Sequence, residues 1–455
     1  MSNISNIIVA IYNFLWGDLI TLNFKGTSIG IPLLVILLIP TGIYFTVRTR
    51  FMPIRKLPQM VRALGEKKDD KSNLSTFQTL IVSTATRVGM GNLVGVVAAV
   101  SVGGAGAVFW MWVSAFLGAS TAYVEGTLAQ LHKKKDPLYD GGPAYYIHDF
   151  VEQKRKKKIK KSFIAILFAI FGLICWCGIS QVVSNSVTSA FKNAFSIPPI
   201  YTTVVLVIIA AVIVLRKNAT VRVLDIIVPI MAVVYFLVTI FIIVKNINLM
   251  PGVFERIFKE AFGLKQVAGG GFGAVLMNGI KRGLFSNEAG SGSAPCAAAA
   301  AEGKKPQTVG MVQSLGVLID TIVICTCTAM IMLLVPEEIT KGKQGMDLLQ
   351  CAMDYHLGSF GTIFVAIILF LFSFSTFIGI LFYARSNVAY ICGNNWWSQT
   401  LYKIVALVML FIGGLQAYTI VWDLGDVGIG LMTIVNLIII IPMSSQAIKL
   451  LDKKD

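Results

Sequence analysis

Eleven long apolar segments divide this sequence and decide what the chain can fold into. They cover approximately residues 29–48, 74–101, 106–131, 162–192, 199–216, 221–246, 270–302, 306–335, 359–391, 400–422 and 427–448. A helix needs about 20 mostly apolar residues to cross a bilayer, and each segment is long enough. Only 14% of the residues are charged, which is too few to cover a soluble domain. The sequence therefore predicts an all-α polytopic membrane protein with about 11 transmembrane helices.

The net charge of +16 is distributed in short basic clusters between the apolar segments. A nucleic-acid-binding protein needs its basic residues together on a soluble face, so we exclude that class. Most of the 39 Lys and Arg lie in alternate loops, above all 48–71 and 132–161, as cytoplasmic loops do. We therefore expect a multi-pass plasma-membrane protein with its N-terminus outside and its C-terminus in the cytoplasm. The basic run at 154–161 needs no role beyond topology, and contact with anionic lipid is the alternative.

The N-terminal stretch 4–19 places apolar side chains on one helical face, but Asn and Asp interrupt it. This pattern favours an amphipathic helix at the membrane interface over a twelfth span. No basic residue precedes the stretch, so we expect no cleavable signal peptide. The seven cysteines contain no C-x-x-C pair and lie mostly in apolar segments, which favours buried packing over disulfides or a metal site.

Two of the apolar segments, 83–95 and 269–294, contain glycine and polar residues where a lipid-facing helix would be uniformly apolar. Such residues weaken a helix, and the freed backbone groups are tolerated in a membrane only where they line a cavity. Broken half-helices attract an anion at their N-terminal ends and a cation at their bare carbonyls. The pair predicts a site for a small zwitterion and Na⁺. Close helix packing through small residues is the alternative.

The position of the two interruptions indicates an inverted repeat. Counted from residue 74, they fall in the first and sixth of ten spans, which divide into 74–246 and 270–448. Because each half has five spans, the second half runs in the opposite sense, as in many secondary transporters. We expect residues 1–73 to hold an interfacial segment, an extra span and a basic loop. Residues 247–269 would be an extracellular linker and 449–455 a cytoplasmic tail.

The segment 103–118, GGAGAVFWMWVSAFLG, resembles the signature of the alanine or glycine:cation symporter family, the sodium:alanine symporters. Further segments are similar to that family, and with them the likeness covers nearly the whole chain: 75–80, 88–92, 141–147, 282–295 and 319–329. The resemblance implies a LeuT-like five-plus-five inverted repeat with an additional N-terminal helix. It also implies Na⁺-driven uptake of small neutral amino acids, chiefly alanine and glycine, with D-alanine as a further candidate. Met90 and Ser291, which adjoin the breaks, depart from the family pattern.

The segment 86–92, TRVGMGN, is also similar to the unwound first helix of the wider LeuT-like group. The resemblance implies that the backbone carbonyls of Ala85 and Val88 bind Na⁺ together with the hydroxyls of Ser375 and Thr376. Neutral oxygen ligands suit a hard cation. The alternative is that the two hydroxyls bond to the preceding turn of their own helix.

For the amino acid, the first break offers the amides of Met90 and Gly91 to the carboxylate, while Asn92 orients the loop or contacts an ion. Gln78 lies about three turns earlier, where it gates the cytoplasmic mouth, reaches the pocket or joins two helices. The full set of candidate substrate-binding residues is Gln78, Thr86, Gly89, Met90, Gly91, Asn92, Asn278, Gly279, Ser286 and Asn287.

The second break has two candidate positions, an early one at 278–279 and a late one at 286–287. An early break leaves Lys281 and Arg282 on the cytoplasmic side of the site. A late break places both cations deep in the bilayer, where a charged side chain costs several kcal/mol without a partner. The early break is therefore physically easier, but the sequence leaves both positions open.

Asp320 lies in the middle of a span, with Arg87, Lys281 and Arg282 as cations that could neutralise it. Proton coupling through Asp320 is the alternative to sodium coupling, and a structural ion pair explains the same residue. A membrane-embedded transferase would need a histidine, paired carboxylates or a metal set near one face, and the loops supply none of these. A passive channel would need an unbroken polar lining. We therefore expect a carrier and not an enzyme.

Overall fold

The computed structural model describes residues 2–24, 27–64, 89–134, 136, 140–215, 219–263, 272–301, 305–416 and 418–451. Most of these residues are helical. The elements are α1 (Ser2–Trp16), β1 (Asp18–Phe24), β2 (Thr27–Pro32), α2 (Leu33–Arg48), α3 (Met52–Arg55), α4 (Leu57–Ala63), α5 (Gly91–Gly103), α6 (Gly106–Leu131), α7 (Pro143–Arg155), α8 (Phe163–Phe195), α9 (Pro199–Val214), α10 (Ala219–Lys245), α11 (Met250–Ala261), α12 (Phe272–Asn287), α13 (Pro295–Ala299), α14 (Pro306–Leu333), α15 (Glu337–Thr340), α16 (Gly345–Leu357), α17 (Ser359–Cys392), α18 (Trp396–Gly413) and α19 (Tyr418–Leu451).

Seven helices in the described part of the chain are long and apolar enough to cross a membrane. They are α6, α8, the part of α10 from Val228, α14, α17, α18 and the part of α19 from Val421. The other predicted spans correspond to the shorter helices α2, α5 and α9 and to the interrupted pair α12 and α13. The fold is therefore that of an all-α polytopic membrane protein, as predicted.

Local sequence signals explain where several of these helices begin. Pro199, Pro295 and Pro306 each occupy the first turn of a helix, where the missing N–H costs nothing and the fixed φ suits the helix. At α18 the Asn395 side chain accepts from the Ser398 amide, and the Ser398 hydroxyl accepts in return from the Asn395 amide. This reciprocal capping fixes the turn between α17 and α18.

The N-terminal segment forms a helix and a hairpin that lie against the bundle. The amphipathic helix predicted over 4–19 is α1, with Trp16 buried and Phe14 exposed. The Trp16 indole N–H donates to the backbone carbonyl of Asp426 in α19 at 3.0 Å. The antiparallel pair β1–β2, with Phe24 opposite Thr27, joins α1 to α2 and was not predicted. The N-terminal segment is thus fixed to the last helix.

Two groups of helices meet at the centre of the bundle. The first group is α5, α6, α12 and α14, which pack on one another; the second is α8, α17, α18 and α19. At the start of α6, the Glu260 carboxylate of α11 accepts from the amides of Ala105 and Gly106, at 2.6 and 3.3 Å. An anion there complements the positive helix N-terminus. Within the first group, α5 and α12 lie side by side.

Candidate functional site

Of the first predicted interruption, 83–95, the structure describes the residues from Gly89 on: the chain bends at Gly89, and α5 is π-helical from Gly91 to Gly95. The Gly89 N–H donates to the Asn92 side-chain oxygen at 2.9 Å, so Asn92 satisfies an orphan amide at this helix start. The Met90 N–H donates to the Thr376 hydroxyl of α17 at 3.0 Å. The sequence candidates Gln78, Ala85, Thr86 and Val88, together with Arg87, lie outside the described residues. Asn92 therefore caps the start of α5.

The second interruption lies at residues 288–294, between α12 and α13. Of the two positions that the sequence left open, the early one at Asn278 and Gly279 is not found, because α12 is continuous through Asn287. Gly290 and Gly292 have φ of 91° and 82°, a backbone region that favours glycine. The two glycines lie in the non-helical stretch between α12, which ends at Asn287, and α13, which begins eight residues later at Pro295. The break is thus the late one.

Glu125, in the middle of α6, holds this second break. Its carboxylate is almost fully buried and accepts from the amides of Gly290 and Gly292, at 3.0 and 3.1 Å. The Asn436 side-chain amide of α19 donates to Glu125 and, at 3.0 Å, to the Gly290 carbonyl. The Tyr146 hydroxyl of α7 donates to Asn436 in turn. We name Glu125, Gly290, Gly292 and Asn436 the Glu125 cluster; it satisfies backbone groups that the interruption leaves without helical partners.

A second buried polar group joins the two interrupted helices to α14. The Asn92 side-chain amide donates to Asp320 Oδ1 at 2.8 Å, and the Ser286 hydroxyl donates to Asp320 Oδ2 at 2.8 Å. Thr321 Oγ1 also donates to Asp320 Oδ2, at 2.7 Å. Asp320 is fully buried and stands in a π-helical turn, Ile319–Cys325, opposite the π-helical start of α5. These four residues, the Asp320 cluster, bring Asn92 and Ser286 together at one point.

The two breaks approach each other closely at Gly91. A Cβ built on Gly91 would lie 3.3 Å from Ser286 Cα and 3.6 Å from the Phe285 carbonyl oxygen. Only glycine leaves this contact unstrained, since so short a Cβ contact forces the neighbouring backbone to move. Met90 is fully buried beside it. Gly89, Met90, Gly91, Asn92 and Ser286 are therefore assembled in one place.

Three of the sequence candidates on α12 have packing contacts. The Asn278 side chain donates to the Ala274 carbonyl of its own helix at 2.9 Å. Gly279 packs on α6, because a Cβ there would lie 2.5 Å from the Ala107 carbonyl oxygen. The Asn287 side-chain oxygen accepts from the Ala289 amide at 3.0 Å, while its buried Nδ2 has no partner among the described residues. Of the three, Asn287 alone adjoins the break.

Ser375 and Thr376 both donate to the Phe372 carbonyl of their own helix, at 2.9 Å each. This is the back-bonding that the sequence left as the alternative to ion binding. These hydrogen bonds use the protons of the two hydroxyls; they do not use the lone pairs of the hydroxyl oxygens. Thr376 also accepts the Met90 amide, so α17 contacts the first break at one of the positions implied for Na⁺ binding.

The buried cations of α12 pair with α19 and not with Asp320. Arg282 makes two hydrogen bonds to the Asp426 carboxylate at 3.1 Å, and Lys281 Nζ lies 3.1 Å from the same carboxylate. Lys281 also donates to the Tyr12 hydroxyl of α1 at 2.7 Å. The Arg282 guanidinium lies 4.1 Å from the Trp422 ring centroid. These five residues, the ion cluster, supply the partners that a late break requires.

Sequence reasoning gave three of the most connected residues too little weight. Glu125, Asn436 and Asp426 were not among the candidate residues. A usable signal was present for Glu125, since a carboxylate in an apolar span requires a polar partner and 290–293, GSGS, offers free amides. Asp426, in the sequence WDLGD, stands just before an apolar run and offered the same signal.

A polytopic helical fold in which an interrupted helix, α12–α13, meets the π-helical start of α5 around buried polar groups is typical of secondary transporters. The family model described as the sodium:alanine symporter family matches residues 18–454. The chain belongs to the sodium:alanine symporter family.

Two relatives from Bacillus subtilis (strain 168) match almost the full chain. The amino-acid carrier protein AlsT is 40% identical over 440 residues, which are 94% of this chain and 91% of the relative. The probable sodium/glutamine symporter GlnT is 41% identical over 421 residues, 90% of this chain and 85% of the relative. Family and relatives are transporters, so the chain is a multi-pass membrane transporter for sodium-coupled amino-acid uptake and not an enzyme.

Among solved structures, a mutant form of the Eremococcus coleocola manganese transporter matches with a TM-score of 0.50 at 12% identity. The match covers 84% of this chain and 81% of that chain. At this identity the likeness concerns the fold alone. The chain therefore shares the fold of that transporter.

Proposed function

We propose that the protein couples inward Na⁺ movement to uptake of small neutral amino acids, with alanine and glycine as main substrates and D-alanine as a further one. The observation that carries the proposal is the close approach of the two interrupted helices at Gly91 and Ser286, beside the buried Asp320 cluster. Helix interruptions present backbone groups to the charged ends of a zwitterion. The tight packing around Met90 and Gly91 favours a small side chain.

The proposed substrate contacts come from both breaks. The Met90 amide is engaged by Thr376, so we assign the carboxylate first to the Gly91 amide. Asn287, with its buried and unpartnered Nδ2, is a second donor beside the other break. Asn92 and Ser286 then hold the two helices in register through Asp320.

The proposed Na⁺ site uses the carbonyls of Ala85 and Val88 and the hydroxyls of Ser375 and Thr376. Its support is that Thr376 already touches the start of α5 and keeps an oxygen lone pair beside it. An ion here joins α5 to α17, and therefore links the first helix group to the second. Binding of Na⁺ and binding of the amino acid would then both depend on the contact between Met90, at the start of α5, and Thr376 of α17.

Transport by alternating access follows from this arrangement. The group α5, α6, α12 and α14 would rock against α8, α17, α18 and α19, exposing the central site to one side at a time. The repeats 74–246 and 270–448, with the N-terminus outside, would give the two directions of opening. The Glu125 and ion clusters, which join α19 to the first group, would rearrange in each cycle.

Proton coupling through Asp320 is a second candidate, because this carboxylate is fully buried within α14 next to both breaks. The two mechanisms are separated by the driving gradient. In proteoliposomes, Na⁺ coupling requires uptake driven by an imposed Na⁺ gradient and lost when choline replaces Na⁺. Uptake that persists in choline and follows an imposed pH gradient would assign the coupling to Asp320 instead.

The experiment that tests the function is uptake of labelled alanine into these proteoliposomes, with a panel of competitors. Excess alanine or glycine should inhibit, while leucine and phenylalanine should not. Glutamine belongs in the panel because one relative is named for it. Accelerated exchange of labelled alanine against an unlabelled internal pool identifies a carrier and excludes a channel. Equal competition by leucine would contradict the proposed pocket size.

Gly91→Ala is expected to lower alanine affinity at least about tenfold in a protein that still folds. The added methyl meets the Ser286 backbone at 3.3 Å and occupies space between the breaks. The helix itself gains, since Ala is a better helix former than Gly by about 1 kcal/mol. Gly95→Ala is the matched control, because its methyl would lie 3.7 Å from Phe285 in ordinary contact. The measurement is the alanine affinity of both purified variants. If Gly91→Ala and Gly95→Ala bind alanine equally well, Gly91 serves only helix packing.

Thr376→Ala is expected to raise the Na⁺ concentration for half-maximal uptake by about tenfold, since an ion ligand and the Met90 hydrogen bond are both removed. Thr376→Ser keeps the hydroxyl and should remain close to the parent protein. The alanine requirement at saturating Na⁺ should change less than the Na⁺ requirement. If Thr376→Ala leaves the Na⁺ dependence unchanged, the ion binds elsewhere.

A further inference from the structure

A crevice of about 240 Å³ opens on the outer surface of the bundle, between α8, α17 and α18. Its walls are apolar and include Leu173, Trp176, Leu381, Val388, Leu401 and Val405. Leu401 is 63% exposed and Val405 39% exposed, so the crevice is open to the side and not enclosed by the bundle. In a membrane this side faces the lipid chains.

The hydroxyl groups that line the crevice bond to backbone carbonyls. Ser180 donates to the Trp176 carbonyl at 2.7 Å, Ser398 to the Gly393 carbonyl at 2.7 Å, and Tyr402 to the Leu381 carbonyl at 3.3 Å. Such a surface has little to hold the charged ends of an amino acid. It suits a hydrocarbon chain.

One end of the crevice coincides with the basic run. Cys392 and Ser398 line that end, at the junction of α17 and α18. One residue before Cys392, the Ile391 carbonyl accepts from the Lys161 ammonium at 2.6 Å. The Ser162 amide donates to the Tyr390 hydroxyl at 2.8 Å. The end of the basic run is therefore held at the mouth of the crevice by two hydrogen bonds to the last turns of α17.

The basic side chains at this mouth are available to a ligand. Lys160 and Lys161 are both exposed. The acidic group beside them, Glu152, accepts the Ile159 amide at 2.9 Å and lies 3.3 Å from His148, so it fixes the shape of the loop. That amide bond lowers the pKa of the Glu152 carboxyl. The basic run 154–161 therefore keeps a large net positive charge.

The other lip of the mouth carries two exposed tryptophans. Trp396 is 64% exposed and Trp397 is 76% exposed, at the start of α18. Tryptophan is enriched where a membrane protein passes from hydrocarbon to water. The mouth therefore lies at the level of the lipid headgroups, with the apolar crevice extending from it toward the membrane centre.

We propose that the crevice and Lys160–Lys161 form a binding site for one anionic phospholipid. One acyl chain lies in the crevice along Leu401 and Val405, and the phosphate lies beside the two ammonium groups. The loop 132–161 is predicted to be cytoplasmic, and anionic lipids are concentrated in that leaflet. Topology alone requires basic residues in this loop but does not require the loop to be anchored to α17.

The headgroup half of the site is tested with purified protein that has been stripped of lipid and then given phosphatidylglycerol and phosphatidylcholine of the same chains. Native mass spectrometry counts the retained lipids. The parent protein should prefer phosphatidylglycerol, and Lys160→Gln with Lys161→Gln should weaken that preference about tenfold. Lys156→Gln with Lys157→Gln is the matched control. It removes the same charge from the same exposed run and should keep the preference.

The acyl-chain half is tested by filling the crevice. Val405→Trp should lower retention of both lipids, because the indole occupies the chain's place. Val233→Trp, on the exposed side of α10 and 57% exposed, adds the same bulk away from the crevice and should change nothing. Neither readout depends on transport activity.

Three results would overturn the proposal. Equal loss in both lysine pairs would mean diffuse attraction to the whole run and not a site. Unchanged retention in Val405→Trp would place the lipid chain elsewhere. A dimer of the parent protein that Val405→Trp dissociates, measured by light scattering, would assign the crevice to a second copy of the chain.

Discussion

Glu125→Gln is expected to reduce alanine uptake at least about tenfold while leaving a folded protein. The carboxylate accepts the amides of Gly290 and Gly292 and the side-chain amide of Asn436. Glutamine replaces one acceptor oxygen by an NH₂ donor, so one of these donors faces another donor in a buried site. An unsatisfied buried group costs about 1–3 kcal/mol, and the break must shift to relieve it. A small displacement of a binding site is enough to cost a large factor in rate.

The test combines uptake per reconstituted molecule with melting temperature in detergent. Glu255→Gln is the matched control, since Glu255 is an exposed carboxylate of α11 that pairs with Lys259. The control should transport and melt as the parent does. Glu125→Asp, which keeps the charge but shortens the reach, should recover part of the activity. Normal uptake by Glu125→Gln would show that the second break does not depend on this carboxylate.

Asp426→Asn is expected to destabilise the protein by about 3 kcal/mol or more. Its carboxylate is the shared partner of Lys281 and Arg282, and all three side chains are less than 10% exposed. Removing one member of a buried ion pair leaves charge without compensation, which costs about 3–5 kcal/mol. Here two cations lose their shared carboxylate at once. The effect should appear as a lower melting temperature and a lower yield of monodisperse protein.

Asp354→Asn is the matched control, because Asp354 is an exposed carboxylate of α16. The double variant Asp426→Asn with Lys281→Met should regain part of the lost stability, since it removes one of the two cations. A double variant no more stable than Asp426→Asn would show that the ion cluster contributes little. Recovery would identify buried charge, and not lost shape, as the cause.

The helical fold was predictable because its strongest signal is local. The length of an apolar run and the placement of Lys and Arg are read directly from neighbouring residues. The glycines and polar residues of 83–95 are a local signal of the same kind, and the described part of that segment bends at Gly89 before α5 begins at Gly91. The hairpin β1–β2 was missed because its strands stand in a stretch assigned partly to α1 and partly to the first span.

The position of the second break could not be decided from the sequence, because it depends on contacts that are distant in sequence. The cost of burying Lys281 and Arg282 was estimated without a partner, yet Asp426 stands 144 residues beyond Arg282. Asn436 likewise meets Glu125 across 311 residues. The π-helical turns that turn Asn92 and Asp320 toward each other have no sequence signal of their own. Which buried polar residues pair is decided by helix packing.

The last helix, α19, is attached to the region of the second break at two residues, Asp426 and Asn436. Asp426 holds α12 through the ion cluster, and Asn436 holds the backbone of the break itself. At about 1.5 Å of rise per residue, these two attachments lie about 15 Å apart on one continuous helix. Because a helix of this length is rigid, α19 cannot tilt at one attachment without moving at the other. In the alternating-access mechanism proposed above, a movement of α19 at one attachment would therefore also displace it at the other, and α19 would couple the two movements.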